Sequence, residues 1–332
     1  MMNNVITLAS RPVGKPKLSN FKFITESVPQ AGDNEVLLKT LYVSVDPYLR
    51  GRMNDSKSYI PPFQLHESIQ SGVIAEIIES NHPKYSKGDF VSGGLQWKEY
   101  QLSNGTGLSK VDAKAAPLSA YLGALGMTGL TAYLGLTEIG KPKAGETIVV
   151  SGAAGAVGSI VGQIGKILGC RVVGIAGTDE KTELLKSRFG FDEAINYKTT
   201  KNMKDAIQEA CPDGVDIYFD NVGGNISDAV MLNVNRLARV AVCGAISLYN
   251  ETEAQTGLRL HTILVTKSVL MRGFIVSEFA AKAPEAITQL TSWLKEGKIN
   301  YSETIAEGFN NIPTAFMDLF EGRNEGKMVV KI

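Results

Sequence analysis

The sequence predicts an α/β fold, in which a doubly wound parallel sheet is joined to a second, smaller, mostly-β domain. Two observations support this prediction. From about residue 118 onward, helical periods alternate with short apolar strands, which is typical of a parallel sheet covered by helices on both faces. Before that point, short runs punctuated by Gly and Pro replace the helical periods, which indicates a small, mostly antiparallel, barrel-like domain.

This change of texture divides the 332 residues into three parts. We expect residues 1–117 to form the mostly-β domain and residues 118–298 to form the doubly wound domain. The remaining segment, 299–332, ends in the apolar run 327–332. Because a lone terminal strand must pair with a sheet to satisfy its backbone, we expect this segment to return to the first domain.

Strands are predicted in both domains. Those of the first domain are 35–45, 72–79, 88–92 and 97–102. Those of the second are 147–150, 171–176, 193–196, 215–220, 239–243 and 268–275. A helix is expected over 283–295, and the stretch 312–320 is amphipathic.

Charge and cysteine usage exclude several classes of protein. Lys plus Arg (34) balances Asp plus Glu (34), so no net field attracts nucleic acid or an anionic membrane. Cys170, Cys211 and Cys243 have no paired spacing, which predicts neither a disulfide framework nor a zinc cluster. Neither a leader pattern nor an apolar run of membrane-spanning length is present. We therefore expect a soluble protein in the reducing setting of the cytoplasm.

A glycine turn lies at the centre of the second domain. The strand 147–150 leads into Ser151-Gly-Ala-Ala-Gly-Ala-Val-Gly158, and a helix with apolar residues at three- and four-residue steps follows. In dinucleotide-binding units such small residues let the backbone turn sharply and approach a pyrophosphate, which rests on the N–H groups of the helix start. A second strand follows after room for one crossover helix. The stretch therefore predicts a dinucleotide site, although alanine (Ala153) replaces the first glycine of the usual triplet.

The end of the second strand indicates which dinucleotide binds. NAD sites usually place a carboxylate there, roughly 20 residues past the glycines. Here the strand ends in Gly177 and Thr178, and Lys181 follows on the first helical turn, where an ammonium group meets a 2′-phosphate. These residues predict NADPH. Asp179 keeps NADH open, since a register shift of one residue would bring it to the tip; with Glu180 it also favours the helix N-terminus electrostatically.

Seven motifs occur in order along nearly the whole chain. They are Val45-Asp-Pro-Tyr-Leu-Arg50, Gly126-Met-Thr-Gly-Leu-Thr-Ala-Tyr133, the glycine turn, Asn196-Tyr-Lys198, Phe219-Asp-Asn-Val-Gly-Gly224, Cys243-Gly-Ala-Ile-Ser-Leu-Tyr-Asn250 and Gly322-Arg-Asn-Glu-Gly-Lys327. With these motifs the chain resembles the zinc-independent medium-chain dehydrogenases/reductases, the group of prostaglandin reductases, alkenal double-bond reductases and curcumin reductase. The resemblance implies a Rossmann domain, a GroES-like domain, NADPH as cofactor and a homodimer. We expect the dimer to form through the last, open-edged strand, 268–276.

The resemblance also implies the cofactor contacts. For the pyrophosphate they are Gly155, Ala156, Val157 and Gly158; for the 2′-phosphate end, Thr178, Lys181 and Tyr197. Asn221 is at the tip of a sheet strand, where the fold binds its ligands. For the nicotinamide the contacts are Cys243, Gly244, Ala245, Ile246, Ser247, Tyr249, Phe274, Ile275 and Val276, and for its ribose and the diphosphate, Thr128 and Asn324. Any one of these polar residues could instead make an ordinary loop hydrogen bond or cap.

The chemistry follows from the absence of a zinc motif. His66-Glu67 partly matches the zinc enzymes, but no cysteine lies near residues 44–46, where that group would need one. Without a metal, reduction of the carbon–carbon double bond of an α,β-unsaturated carbonyl is less demanding than ketone reduction, since the enolate oxygen needs only hydrogen-bond donors. The resemblance implies Tyr249 as that donor and Tyr48 as a wall of the pocket. Packing is the alternative role for both, and the α-carbon proton could come from Tyr249 or from water.

Other functions remain open at this point. An NADPH:quinone reductase and a non-catalytic NADPH-binding protein fit the same motifs. Within the reductase reading, the polar and acidic stretch 250–257 disfavours substrates with a carboxylate. We therefore expect neutral enals and enones, including phenolic ones.

Overall fold

The computed structural model describes residues 2–332. Its strands are β1 (Met2–Leu8), β2 (Phe21–Ser27), β3 (Val36–Ser44), β4 (Gln70–Ser80), β5 (Phe90–Gln96), β6 (Tyr100–Ser103), β7 (Ser109–Val111), β8 (Thr147–Ser151), β9 (Arg171–Ala176), β10 (Glu193–Asn196), β11 (Val215–Asp220), β12 (Val234–Val242), β13 (Leu270–Gly273), β14 (Glu303–Glu307) and β15 (Lys327–Lys331). Its α-helices are α1 (Leu49–Arg52), α2 (Met127–Leu134), α3 (Gly158–Ile167), α4 (Asp179–Ser187), α5 (Met203–Ala210), α6 (Gly224–Met231), α7 (His261–Thr266), α8 (Ala283–Lys295) and α9 (Ile312–Asp318). Within this range no helix has the length and apolar character needed to cross a bilayer.

One compact unit consists of residues 2–122, 304–324 and 328–332. Its main sheet has the strand order β14-β15-β3-β4-β5-β7, with β6 also paired to β3, while β1 and β2 form a separate antiparallel pair. The C-terminal strand β15 joins antiparallel to β3, with Val329 opposite Ser44. The core of this unit is apolar and includes the fully buried side chains of Leu38, Trp97 and Phe316.

The second unit consists of residues 123–303 and 325–327. Its six strands form a parallel sheet in the order β10-β9-β8-β11-β12-β13. Counted along the chain this is the order 3-2-1-4-5-6, in which the chain starts in the middle and winds outward both ways. The predicted doubly wound parallel sheet is therefore confirmed. Its point of reversal lies between β8 and β11, where ligands bind at the carboxyl ends of the strands in folds of this type.

Besides shifted strand bounds and the unpredicted β7, the structure differs from the predicted elements in two places. First, β12 begins at Val234 rather than at residue 239, because an irregular stretch interrupts its pairing with β11. In that stretch Leu237 has a φ of 65°, a conformation that a non-glycine residue seldom adopts. Second, β1 and β2 were not predicted. Strand β1 buries polar Asn3, whose amide donates to the Tyr100 carbonyl and accepts from the Tyr100 N–H, so no simple apolar alternation is visible there.

Candidate active site

The glycine turn between β8 and α3 is closely packed. Gly152 has a φ of 59°, which favours glycine, and its carbonyl accepts the Gly155 N–H at 3.0 Å. A Cβ atom on Gly158 would lie 2.4 Å from the Gly152 carbonyl oxygen and 2.8 Å from Cα of Ala153. Only glycine at position 158 therefore lets the helix start against the turn. The Gly326 N–H also donates to the Ala154 carbonyl at 2.8 Å.

The same turn presents backbone donors. Within residues 2–332, the amide N–H groups of Val157 and Gly158 have no backbone acceptor, whereas Ala156 follows the parallel bridge between Gly155 and Gly326. Such unpaired N–H groups at the start of a helix, reinforced by the helix dipole, bind anions. With the half-buried Gly155, these residues could hold the diphosphate of a dinucleotide.

The end of β9 carries the residues expected to select the dinucleotide. The Thr178 hydroxyl accepts the Lys181 N–H at 3.3 Å and so caps α4. Burial, followed by repulsion from Lys198, lowers the pKa of the half-buried Lys181 ammonium. The Tyr197 ring, 40% exposed, lies against Gly177, where a Cβ atom would come within 2.9 Å of the ring. The ammonium groups of Lys181 and Lys198 and the exposed ring of Tyr197 thus lie near one another at this strand end.

The carboxylate that left NADH open does not lie at the strand tip. Strand β9 ends at Ala176, and Asp179 is the first residue of α4. Its carboxylate accepts the Asn196 side-chain amide at 2.7 Å. Asp179 therefore serves the helix start and the neighbouring strand end, consistent with the electrostatic role considered above.

On the other side of β8 in the sheet, β11 ends in a turn around Asp220. Asn221 donates its side-chain amide to the Ser151 carbonyl at 2.8 Å, and its backbone N–H to the Ser151 hydroxyl at 2.9 Å. These bonds hold Asn221 beside Gly152, whose added Cβ would lie 3.4 Å from the Asn221 Cβ atom. The glycine turn and the end of β11 are thereby joined.

A loop after β12, residues 243–249, lies on this turn. The Asp220 carbonyl accepts the N–H groups of Cys243 (2.8 Å) and Gly244 (3.1 Å). At the far end of the loop, the Tyr249 hydroxyl accepts the Ala245 N–H at 3.2 Å. Burial is the main cause that raises the pKa of this tyrosine, so the phenol keeps its proton at neutral pH. In the part of the chain that the structure describes, no acceptor bonds that proton, and it remains available for donation.

The other residues of the second unit that are predicted to contact the cofactor differ in their burial. Thr128 is buried on α2, and its hydroxyl donates to the Gly123 carbonyl at 3.0 Å. Phe274 is also buried, with its ring edge-on to Phe219 at 6.2 Å. The next residues, Ile275 and Val276, are half-buried after the end of β13. Ile246 and Ser247 lie within the 243–249 loop, with Ser247 exposed.

Two predicted residues belong to the first unit. Tyr48 directly precedes α1 and packs partly against the apolar core. Burial, and then the Asp46 carboxylate, raises its pKa, whereas the Arg52 guanidinium opposes that rise. Arg52 itself stacks over the Phe63 ring at 4.0 Å from the ring centre. Asn324 is half-buried and is the last residue of the segment 304–324.

The residues considered for zinc lie apart. His66 is exposed in a loop, with a φ of 67°, and its N–H donates to the Leu8 carbonyl. Cys170 and Cys211 are buried, and burial raises the pKa of the Cys243 thiol to about 12. Across residues 2–332, no three side chains of the types His, Cys, Asp and Glu are grouped to hold a metal ion.

Comparison with known proteins identifies the family. Residues 4–111 match the model of an oxidoreductase N-terminal domain, and residues 156–296 match the model described as a zinc-binding dehydrogenase. The YfmJ protein of Bacillus subtilis is 58% identical over 330 residues, covering 98% of this chain and 97% of its own. The chain belongs to the medium-chain dehydrogenase/reductase family.

Two further members of the family bear on cofactor and substrate. The 2-alkenal reductase (NADP⁺-dependent) of Nicotiana tabacum is 45% identical over 336 residues, covering 99% of this chain and 97% of its own. The crystal structure of Vibrio vulnificus CurA in complex with NADPH superimposes with a TM-score of 0.95 at 42% identity, covering 99% of this chain and 98% of that one. The expected resemblance to the alkenal reductase branch of the family is thus confirmed.

Sequence reasoning overlooked two residues of this site, Asp220 and Ser151. Both carry buried side chains at strand ends, where Asp220 accepts the Ser151 hydroxyl at 2.9 Å. The available signal was the presence of an acidic residue directly before Asn221, at the end of an otherwise apolar strand.

Proposed function

We propose that this protein is an NADPH-dependent reductase of the carbon–carbon double bond of α,β-unsaturated aldehydes and ketones. The observation that carries the proposal is the Tyr249 hydroxyl, which accepts the Ala245 N–H at 3.2 Å and keeps its own proton available. An enolate oxygen needs such a donor. The names of the tobacco relative and of the CurA complex, a 2-alkenal reductase and an NADPH-bound protein, agree with this assignment.

NADPH is the cofactor that the described residues fit best. The unpaired amides of Val157 and Gly158 would hold the diphosphate, with Ala156 and the Gly155 backbone beside it. Lys181, Tyr197 and Thr178 would hold the 2′-phosphate end, because an ammonium group pairs with phosphate and β9 has no carboxylate at its tip.

The nicotinamide end is assigned to the 243–249 loop and its neighbours. Asn221 and the backbone of the loop would orient the ring, with Phe274–Val276 along one side. Thr128 and Asn324 would contact the adjacent ribose and the diphosphate. The Thr128 hydroxyl already bonds to the Gly123 carbonyl, so its contribution would come from its position on α2 more than from a free hydroxyl.

The reduction requires two acts at the substrate. When bound, NADPH supplies the hydride that adds to the β carbon. Tyr249 donates a hydrogen bond to the carbonyl oxygen of the substrate, and this bond strengthens as negative charge develops on that oxygen. The raised pKa of Tyr249 keeps the phenol protonated for this role. The α carbon then receives a proton from Tyr249 or from water. Tyr48 would line the substrate pocket and contact the acceptor without taking part in proton transfer.

Neutral enals and enones, including phenolic ones, are the proposed substrate class. The stretch 250–257 carries the exposed side chains of Glu251 and Glu253, which would repel a substrate carboxylate. In the test, the purified protein and NADPH are given either a neutral enal or the same enal carrying an additional carboxylate away from the double bond. Both the oxidation of NADPH and the product are followed. We expect the saturated aldehyde from the neutral substrate. Failure of both substrates would count against the proposal.

We also propose a homodimer through β13. This strand lies at the end of the six-stranded sheet, with Leu270 55% exposed and, on the neighbouring α7, Val265 78% exposed. Pairing two such edges about a two-fold axis would cover both. Light scattering should give twice the 35.7 kDa chain mass, and Leu270→Lys should shift the protein toward the monomer. A monomer in the unsubstituted protein would contradict the proposal.

A further inference from the structure

Asp220 carries a carboxylate that lies in the interior at the end of β11. The residue is 2% exposed, and its Oδ1 atom accepts four hydrogen bonds. The donors are the Tyr218 hydroxyl (2.8 Å), the Ser151 hydroxyl (2.9 Å) and the N–H groups of Gly223 (2.9 Å) and Val222 (3.0 Å). All four donors are neutral. Burying a carboxylate costs free energy unless hydrogen bonds replace its contacts with water, and these four donors do so for Asp220.

The four bonds fix the shape of one turn. The N–H groups of Val222 and Gly223 both point back to Oδ1, so the chain must reverse directly after β11. The Ser151 hydroxyl, while donating to Asp220, accepts the Asn221 N–H at 2.9 Å. The turn is therefore tied both to its own strand and to the neighbouring β8.

The reversed turn directs three successive carbonyl groups to the 243–249 loop. The Asp220 carbonyl accepts the Cys243 and Gly244 N–H groups, and the Asn221 carbonyl accepts the Ile246 N–H at 3.3 Å. The Val222 carbonyl accepts both the N–H (3.1 Å) and the hydroxyl (2.6 Å) of Ser247. Five hydrogen bonds thus seat the loop on the turn, and within the loop the Ala245 N–H fixes the Tyr249 hydroxyl.

We propose that Asp220 is a positioning residue, whose carboxylate shapes the 220–223 turn and thereby sets the location of the 243–249 loop and of the Tyr249 hydroxyl. The catalytic part of this inference rests on the proposed function, since Tyr249 is the donor to the enolate. Positioning matters because misplacing a catalytic group by about 1 Å can reduce the rate by about a hundredfold.

The charge of Asp220 has a second consequence. Burial raises the pKa of Tyr249 most, and the negative charge of Asp220 adds to that rise. Loss of the charge should lower the pKa of Tyr249. The alkaline limb of the kcat profile should then move to lower pH.

The test compares two charge-neutralising substitutions on the same strand. Asp220→Asn keeps the shape of the side chain but offers a weaker, neutral acceptor to the four donors. Asp216→Asn is the matched control. The half-buried Asp216 carboxylate, at the other end of β11, also accepts a backbone N–H, from Thr147 at 2.9 Å, and a side-chain amide, from Asn235 at 2.8 Å.

Two quantities are measured on the full chain: hydrogen–deuterium exchange of peptides covering 243–249, and kcat for a neutral enal at saturating NADPH as a function of pH. For Asp220→Asn we expect exchange faster by about tenfold, and kcat lower by about tenfold, less than the roughly hundredfold cost of a 1 Å misplacement. Asp216→Asn should match the unsubstituted protein in both. Should Asp220→Asn fail to fold, Ser151→Ala removes one of the donors to Asp220 and should show the same directions, more weakly.

The results separate this inference from the proposed function. Unchanged exchange of 243–249 in the folded Asp220→Asn protein would overturn the inference, as would faster exchange with an unchanged kcat in a protein that reduces enals. If the unsubstituted protein reduces no enal, the proposed function fails, and the exchange measurement still decides whether Asp220 holds the loop.

Discussion

Replacing Tyr249 by Phe tests the proposed chemistry at one atom. The substitution keeps the ring and removes a hydroxyl that accepts the Ala245 N–H at 3.2 Å. Loss of one donor to a developing oxyanion costs roughly 2.7–4 kcal/mol, or about 10²–10³ in kcat. Because Tyr249 is half-buried rather than sealed from solvent, we expect the lower end of this range, about a hundredfold. Losing the bond to Ala245 should lower the free energy of unfolding by only about 1 kcal/mol.

The assay follows NADPH oxidation at saturating cofactor and varied enal, and the affinity for NADPH is measured separately by the quenching of protein fluorescence. We expect kcat to fall while the NADPH dissociation constant changes little. Tyr133→Phe is the control, since Tyr133 is also half-buried and its ring contact with Trp293 (5.8 Å between centres) survives the substitution. A Tyr249→Phe protein with the kcat of the unsubstituted protein would remove Tyr249 from the chemistry.

Three further predictions concern the cofactor site and stability. Lys181→Ala should raise KM for NADPH by about tenfold or more, through loss of a charged hydrogen bond, and leave KM for NADH unchanged. As a control, Lys186→Ala on the same helix should change neither KM. Equal effects of Lys181→Ala on both cofactors would refute the assignment of Lys181 to the 2′-phosphate. Gly158→Ala should lower the free energy of unfolding by about 1–3 kcal/mol in urea titrations, since its Cβ would lie 2.4 Å from a backbone oxygen. Gly155→Ala should cost less, because the nearest atom to its added Cβ lies at 3.2 Å. The reverse order would show that the turn is looser than described. Burial raises the pKa of Cys211 to about 12, so its stabilising contribution is full below the unfolded thiol pKa of about 8.5 and is lost as pH rises toward 12. Between about pH 9 and 11, the unfolding free energy of Cys211→Ala should therefore fall less steeply with pH, by about 1.4 kcal/mol per pH unit, than that of the unsubstituted protein, and equal slopes would contradict this.

The sequence predicts the doubly wound sheet well because its strands are buried on both faces. Val149 and Val173 lie in central strands of that sheet and are fully buried, so their apolar runs need no partner to be recognised. The helix 283–295 was predicted with its observed bounds, since Pro284 lies in its first turn and Gly297 follows its end. Strand β1 was missed because its buried polar Asn3 pairs with residue 100, a partner far along the chain.

The candidate site was predictable as a set of motifs but not as a network. Glycine spacing indicates a phosphate-binding turn, because the backbone requirement is local. The role of Asp220 depends on four donors from three segments, which no spacing along the chain reveals. The same holds for the Tyr249 hydroxyl, whose bond to Ala245 depends on the fold of the loop.

The measurement that tests the central claim most directly is the oxidation of reduced cofactor by the purified protein, with NADPH or NADH, offered a neutral enal, an enone or a quinone, and with the products identified. We expect the enal and the enone to be converted to saturated carbonyl compounds, with NADPH preferred over NADH. Reduction of the quinone alone, formation of an unsaturated alcohol from the enal, or no turnover despite NADPH binding would contradict it.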